Sequence, residues 1–495
     1  MFAFDPVSVL LSVVVVLFLL NAFLDRKGKV YKNFPPGPRT LPIIGNIHNM
    51  LMRRQKPHLT FQELAEEYGP VYSMQMGPEK IVVLCGYEAV KDALVNYAEE
   101  FSERPVIPMM EKVTKGHGLI FSHGENWKVM RRFALSTLRD FGMGKKSIEN
   151  KINEESNSLV EVFESYKGKP FDNLMIMNAA VANIIVSILL GNRFEYNSPT
   201  LLKLMKLINE NIRLLSSPLA LLYNAYPSLM SWIPGSHQTI FKNAMETRNF
   251  FQDIFVKYKE EFDMNDQRNL IDAFLLKQKE EKPSPQMFFH NDNLLSLVNT
   301  LFGAGMETTS TTLRWGILLM MKYPEIQKNV QNEIDRVIGS AQPLIEHRKL
   351  MPYTDAVIHE MQRYGNIAPT AVPHSTTRDV TFRGYFLPKG THVIPVLSSV
   401  LQDKAYFAKP LEFYPQHFLD SKGNFVKNDA FLPFSAGRRS CAGETLAKME
   451  LFMFFTRLMQ KFTFQPPPGV EVDLTPNSGI TISPLFHEIC AIPRN

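Results

Sequence analysis

Apolar residues recur at three-four spacing near 87–97, 124–139, 145–166, 174–191, 198–214, 237–262, 291–322, 324–338, 354–364 and 443–460, and each stretch predicts a helix with a buried face. Two shorter runs, Val71–Met76 and 80–84, are separated by Gly-Pro and predict a two-stranded hairpin. Strand-like runs return near 379–382, 391–396 and close to the C-terminus. The expected fold is therefore mainly α with a small β region.

Residues 7–24 break this pattern, being polar only at Ser8, Ser12 and Asn21. As a helix they would reach about 27 Å, close to the hydrocarbon thickness of a bilayer. Asp5 precedes the run, whereas Arg26, Lys27, Lys29 and Lys32 follow it, the reverse of a cleaved signal peptide. Positive charge on the C-terminal side predicts a retained anchor helix over residues 1–25, with everything after Arg26 in the cytosol. Residues 26–50 read as a basic and proline-rich hinge, in which Phe34-Pro-Pro-Gly-Pro38 makes a stiff extended spacer. No linker, repeat or charge block divides residues 51–495, which are expected to form a single domain.

Composition removes some alternatives. With 45% hydrophobic and 21% charged residues the chain is not disordered. A net charge of +5, without basic-aromatic interleaving or zinc-finger spacing, gives no argument for nucleic acid. Cys85, Cys441 and Cys490 are too few for a disulfide framework and suit a reducing compartment.

The densest chemistry lies in residues 434–443, Phe-Ser-Ala-Gly-Arg-Arg-Ser-Cys-Ala-Gly. Gly437 and Gly443 flank Cys441 and let the backbone turn tightly beside a flat ligand. The helix that follows places Cys441 near a positive dipole end, which favours a thiolate. A single soft anionic ligand suits haem iron better than zinc, which wants several ligands at short spacing. Taken alone, Cys441 is equally an inert buried cysteine.

The spacing of Phe434, Gly437, Arg439, Cys441 and Gly443 resembles the haem-binding signature of the cytochrome P-450 family, the haem-thiolate monooxygenases. Pro-Pro-Gly-Pro, Arg-Asp-Phe-Gly-Met-Gly-Lys and Phe-Ser-Ala-Gly-Arg-Arg are similar to its vertebrate microsomal members that oxidise drugs, fatty acids and steroids. The resemblance runs from anchor to C-terminus. It implies the cytochrome P-450 fold, iron protoporphyrin IX (haem b) with Cys441 as axial thiolate, and a place in the endoplasmic reticulum or microsomal membrane with the catalytic domain on the cytosolic face.

Further residues gain roles from that resemblance. Trp127 and Arg131 stand four apart on one helix, both donors without an acceptor; alone they are a surface arginine packed on a core tryptophan, but in the family the pair holds a haem propionate. Arg104, His374 and Arg439 match other positions around the propionates. Glu360 and Arg363, spaced for a helical ion pair, match a buried Glu-x-x-Arg motif. His417, in Phe413-Tyr-Pro-Gln-His-Phe418, stands where many members have arginine, so the network is expected to depend on its protonation.

Ala304-Gly-Met-Glu-Thr-Thr309 places a glycine and three polar residues inside an apolar helix and predicts an interruption there. The hydroxyl of Thr308 has two options, a carbonyl of the preceding turn or a water in an opened ladder. The resemblance makes Glu307 and Thr308 the acid-alcohol pair that delivers protons on the face opposite Cys441, while thiolate electron donation favours O–O cleavage.

By resemblance substrate contacts come from Phe121, Phe302, Ala304, Ala371, Val372 and Ile480, mostly apolar, which implies a lipophilic small molecule. No NADPH or flavin fingerprint is present, so a separate NADPH-cytochrome P-450 reductase is implied, with cytochrome b5 as a further partner. Lys128, Arg132, Lys145, Lys146, Arg438 and Lys448 are the candidate basic patch for it. Two rivals remain open: a haem-thiolate isomerase or peroxide-using enzyme, against which the Glu307-Thr308 pair argues, and a haem carrier or sensor without turnover.

Overall fold

The structure is a computed structural model that describes residues 12–13, 15–16, 32–52, 56–141, 146–282 and 286–494. Of the expected anchor, only Ser12, Val13, Val15 and Val16 fall among these, in helical conformation; the rest of 7–24 lies outside the described residues. No helix among the described residues is long and apolar enough to cross a membrane. Contacts group the chain into two compact units, 1–105 with 222–233 and 370–400, and 106–221 with 234–369 and 401–495.

The smaller unit carries the four-stranded sheet, with strand order Val71–Met76, Glu79–Leu84, His392–Pro395, His374–Ser375. The first two strands form the expected hairpin, in the register Tyr72↔Val83, joined through Gly77 at φ 62°. A left-handed glycine is what a two-residue hairpin turn needs. The third strand runs parallel to the second and the fourth antiparallel to the third. Phe61 and Leu64 of the Pro57–Tyr68 helix pack on Tyr72, Met74, Ile81 and Val83 and cover one face of the sheet.

The larger unit is helical and built around the 32-residue helix Asn291–Lys322. It packs on Leu174–Leu189, Ser236–Glu260, Pro352–Gly365 and Glu444–Lys461. Leu174–Leu189 is apolar nearly all round, which is the pattern of a fully buried helix. Short antiparallel pairs, Phe462–Gln465 with Cys490–Pro493 and Pro476–Ser478 with Ile482–Pro484, bring strands into this unit.

All ten expected helices are present, although the first turns at Asp92 into a π-helical segment, Asp92–Asn96. The sequence reading missed Pro57–Tyr68, Pro108–Thr114, Pro218–Ala225 and Pro227–Met230, although it found Pro199–Leu215, Pro324–Val337 and Pro352–Gly365. Each begins at a proline, and a residue read as a breaker is well suited to the first helical position, where its missing N–H has no partner to lose. Ile47–Met52, Leu270–Glu280 and Leu397–Leu401 were also missed.

Candidate active site

The turn before the Glu444–Lys461 helix is shaped by two residues in the left-handed region, Ser435 at φ 59° and Gly437 at φ 73°. They curl the chain until the Cys441 N–H donates to Phe434 O at 3.0 Å. Gly443 caps the helix, and a Cβ there would stand 3.9 Å from Cys441 Sγ, so glycine keeps one side of the sulfur open. Cys441 retains exposed surface, whereas Cys85 and Cys490 are buried.

The expected dipole effect on the thiol is outweighed. Burial pushes Cys441 up and Glu444 adds to the rise, against the N–H groups of Gly443 and Glu444 and the charge of Arg131. A helix end supplies modest stabilisation and partial desolvation costs more.

Around this turn the larger unit gathers donors. Trp127 and Arg131 lie on the Gly124–Asp140 helix. Arg131 Nη2 donates to Ser440 O at 2.8 Å, and the Arg439 guanidinium stacks on the Trp127 ring, 3.8 Å from its centroid, while Nη2 donates to Ser122 O at 3.0 Å. The i, i+4 pair thus converges on residues 439–440, immediately before the cysteine. An indole and two guanidinium groups donate and cannot accept. Such a set fits the carboxylates of a planar dianionic macrocycle beside a single sulfur ligand.

Two other expected donors belong to the smaller unit. Buried Arg104 donates through Nη1 to Val372 O at 2.7 Å and Pro373 O at 2.9 Å, and His374 Nδ1 donates to Phe101 O at 2.6 Å. Ala371 and Val372 lie in the same segment, Ala371 with its N–H on Pro395 O. Phe434 also carries the Lys448 ammonium 5.6 Å from its ring centre.

The Asn291–Lys322 helix is continuous, so the expected interruption at residues 304–309 is absent. Thr308 takes the local option, Oγ1 donating to Ala304 O at 2.8 Å, which lets a polar side chain sit in the helix without opening its ladder. Ala304 is exposed and Thr308 partly so, one turn apart, on a helix whose following stretch from 309 to 321 is wholly buried. Glu307 is nearly enclosed. Its Oε1 accepts from Thr481 Oγ1 at 3.3 Å and Thr311 Oγ1 at 3.4 Å. Burial pushes its carboxyl up, and these hydroxyls together with the Arg314 charge only partly oppose that.

Thr311 and Thr481 were missed by the sequence reading. Thr311 follows Glu307 by one helical turn and was legible from spacing, whereas Thr481 arrives from 174 residues away with no local signal. Ile480, exposed, stands next to Thr481; Phe302 is fully buried against Phe251, and Phe121 is partly buried.

Glu360 and Arg363 form a fully buried pair on the Pro352–Gly365 helix. His417 joins them, but not as a charge. Its Nδ1 donates to Glu360 Oε2 at 3.1 Å while Nε2 accepts the Lys409 N–H at 3.1 Å. A ring that accepts at Nε2 is neutral, so the network as built uses the neutral form of His417, and the Lys409 bond is the one that protonation would remove. In the candidate basic patch, Lys128 is paired with Glu125 and Lys448 with Glu444; Arg132, Lys146 and Arg438 are exposed, and Lys145 lies outside the described residues.

An open sulfur framed by donors is the arrangement of a haem-thiolate protein. Comparison with known proteins supports the same class. The model of the family Cytochrome P450 matches residues 35–491, and the chain belongs to that family. It is 50% identical to cytochrome P450 2K4 of Oncorhynchus mykiss, over 97% of this chain and 96% of that protein. Against cytochrome P450 2C11 of Rattus norvegicus it is 47% identical, over 99% and 98%. Cytochrome P450 2F3 of Capra hircus is 45% identical, over 97% and 98%. The cofactor is haem with an axial cysteine thiolate, and the activity is that of a haem-thiolate monooxygenase.

Proposed function

We propose that the protein inserts one oxygen atom from O2 into a lipophilic small molecule, a xenobiotic, fatty acid or steroid, with electrons from NADPH delivered by a separate cytochrome P-450 reductase and with cytochrome b5 as a further partner. It would be held in the endoplasmic reticulum membrane by residues 1–25, with 26–50 as hinge and 51–495 carrying the monooxygenase activity on the cytosolic face.

The observation that carries this reading is Cys441, an exposed thiol kept clear by Gly443 and backed by Arg131 and Arg439. Cys85 is a poor rival, since burial pushes its thiol up to about 12. Cys441 would be the axial ligand, with Trp127, Arg131 and Arg439 as donors to the propionates. When bound, the haem supplies the redox chemistry that activates O2. Glu307 would hold a proton in a dry setting, because burial favours its neutral form, and Thr308 would pass that proton at its hydroxyl once it leaves Ala304 O. Ala304, beside it, leaves room for an apolar substrate.

The test is the difference spectrum of the dithionite-reduced protein with and without carbon monoxide, on wild type and Cys441→Ala. A strongly red-shifted Soret band that the variant loses supports the assignment. A band typical of histidine ligation in folded wild type would remove it.

A further inference from the structure

Among the described residues one group of metal-ligating side chains stands apart from the candidate active site. His117, His290 and Asp292, all in the larger unit and each partly buried, present one donor atom apiece, and these atoms lie within 4.8 Å of one another. The two imidazole rings meet edge to face with centroids 4.7 Å apart.

Bonds made by other groups hold this cluster in place. His117 lies between Gly116 at φ 70° and Gly118 at φ 84°, and its N–H donates to Thr114 O at 3.0 Å. A Cβ on Gly118 would lie 3.0 Å from the Ser296 carbonyl carbon, so the segment is pressed against the Asn291–Lys322 helix. Buried Asn293 pins it there, its Oδ1 accepting the Gly118 N–H at 3.0 Å and its Nδ2 donating to Asn126 Oδ1 at 2.6 Å and Phe288 O at 2.7 Å. His290 is the cap of that helix, with Nδ1 accepting the Asn293 N–H at 3.4 Å, a long bond that a ring nitrogen can exchange for a metal.

We propose that His117, His290 and Asp292 bind a divalent transition-metal ion of the zinc type, and that its binding clips residues 115–123 to the start of the Asn291–Lys322 helix. Two imidazoles and one carboxylate match the N/O preference of zinc and leave a fourth position open. Bonds of about 2.0–2.1 Å to zinc bring tetrahedral donors roughly 3.3 Å apart, so donor atoms now within 4.8 Å close by up to about 1.5 Å.

Two features oppose a cation. Arg248 Nη2 already bonds Asp292 Oδ1, and the helix start carries the positive dipole end. A metal at Asp292 would compete with Arg248 or take the second carboxylate oxygen, and Glu111 adds negative charge near His117. Removing Arg248 is therefore expected to tighten binding.

The site is independent of the haem reading, and its test is a calorimetric titration of the chelator-treated full chain with zinc chloride. Hydrogen exchange of residues 115–123 is followed in parallel. We expect one site that slows exchange in that segment. It weakens at least about 10-fold in His117→Gln and in His290→Asn, the latter keeping a capping acceptor. It tightens in Arg248→Gln. Absence of zinc uptake by wild type overturns the proposal. So does equal uptake by wild type and the two histidine variants, which would place the ion on others of the twelve histidines.

Discussion

Arg363 meets Glu360 as a fork, Nε on Oε2 and Nη2 on Oε1, both at 2.7 Å and both side chains fully buried. The other N–H groups of the guanidinium go to Leu401 O, Pro410 O and Glu412 O, and Glu360 Oε1 also accepts the Tyr414 N–H. All five donors are used, so the pair fastens the 401–414 segment to the Pro352–Gly365 helix. Because removing one member leaves a buried charge unpaired, Arg363→Ala is expected to cost about 3–5 kcal/mol. Arg363→Lys should recover little, since an ammonium cannot fork. Denaturant unfolding with unchanged slope checks this, and a midpoint equal to wild type in either variant would contradict it.

His417 completes the network as a neutral bridge, and that makes a separate prediction. Arginine at this position would donate to Glu360 but could not accept from Lys409 N–H. His417→Phe removes both bonds and is expected to cost about 1–3 kcal/mol. Nitrogen-15 chemical shifts of the labelled ring should show Nδ1 protonated and Nε2 as acceptor. The opposite tautomer would contradict the geometry.

Among the described residues the Thr308 hydroxyl bonds within its own helix, to Ala304 O, so Thr308→Ala should fold and take up haem like wild type. If the hydroxyl passes protons during turnover, product formed per NADPH consumed falls by about 100-fold, the lower end of acid–base contributions. Thr308→Ser should restore most of it. Unchanged coupling in the alanine variant would leave Thr308 as a helix-satisfied side chain and nothing more.

These contrasts show which parts of the protein were legible in sequence. Helices such as Gly124–Asp140 and Pro324–Val337 announce themselves by spacing, because one face is core and the other water. The convergence of Trp127 and Arg131 on residues 439–440 was half legible: spacing put both on one face, but Ser440 as acceptor and Arg439 as stacking partner come from some 310 residues further on. Thr481 on Glu307 and Lys409 on His417 depend on the fold alone. The helix end beside Cys441 could be read from sequence, whereas the burial that opposes it could not.

Glu450, on the Glu444–Lys461 helix, is fully buried, and burial pushes its carboxyl from the usual 4.5 up to about 8, with a bond from Thr309 opposing. Below the lower value both folded and unfolded chains hold the proton and the group costs nothing. As pH rises from 4.5 towards 8 the unfolded chain releases its proton while the folded chain keeps it, so stability falls, and above 8 the loss is complete. Glu307, also pushed up by burial, acts with the same sign. Glu450→Gln should therefore gain on wild type steadily between about pH 5 and pH 8 and show no gain from this cause near pH 4. Unfolding midpoints of the two proteins across that range decide it, and a difference that does not vary with pH would mean that Glu450 is ionised in the folded state.

Gly305 lets the Asn291–Lys322 helix approach Leu174–Leu189 closely. A Cβ at this position would lie 2.7 Å from Ile185 Cδ1 and 2.9 Å from its Cγ1, distances at which one side must give way. Alanine gains about 1 kcal/mol of helix propensity over glycine, while overpacking a dense core costs about 1–3 kcal/mol. Gly305→Ala is thus expected to be neutral to mildly destabilising, and Gly305→Val clearly worse. The informative measurement is the double-mutant cycle with Ile185→Ala, which removes both contacting atoms. Ile185→Ala alone opens a cavity costing about 2–5 kcal/mol, and a methyl at residue 305 would partly fill it, so the double variant should be more stable than the sum of the singles by about 1 kcal/mol or more. Strict additivity would mean that the two helices slide apart as rigid bodies instead of yielding at this one contact, and the position of Thr308, one turn further along, would then shift with them.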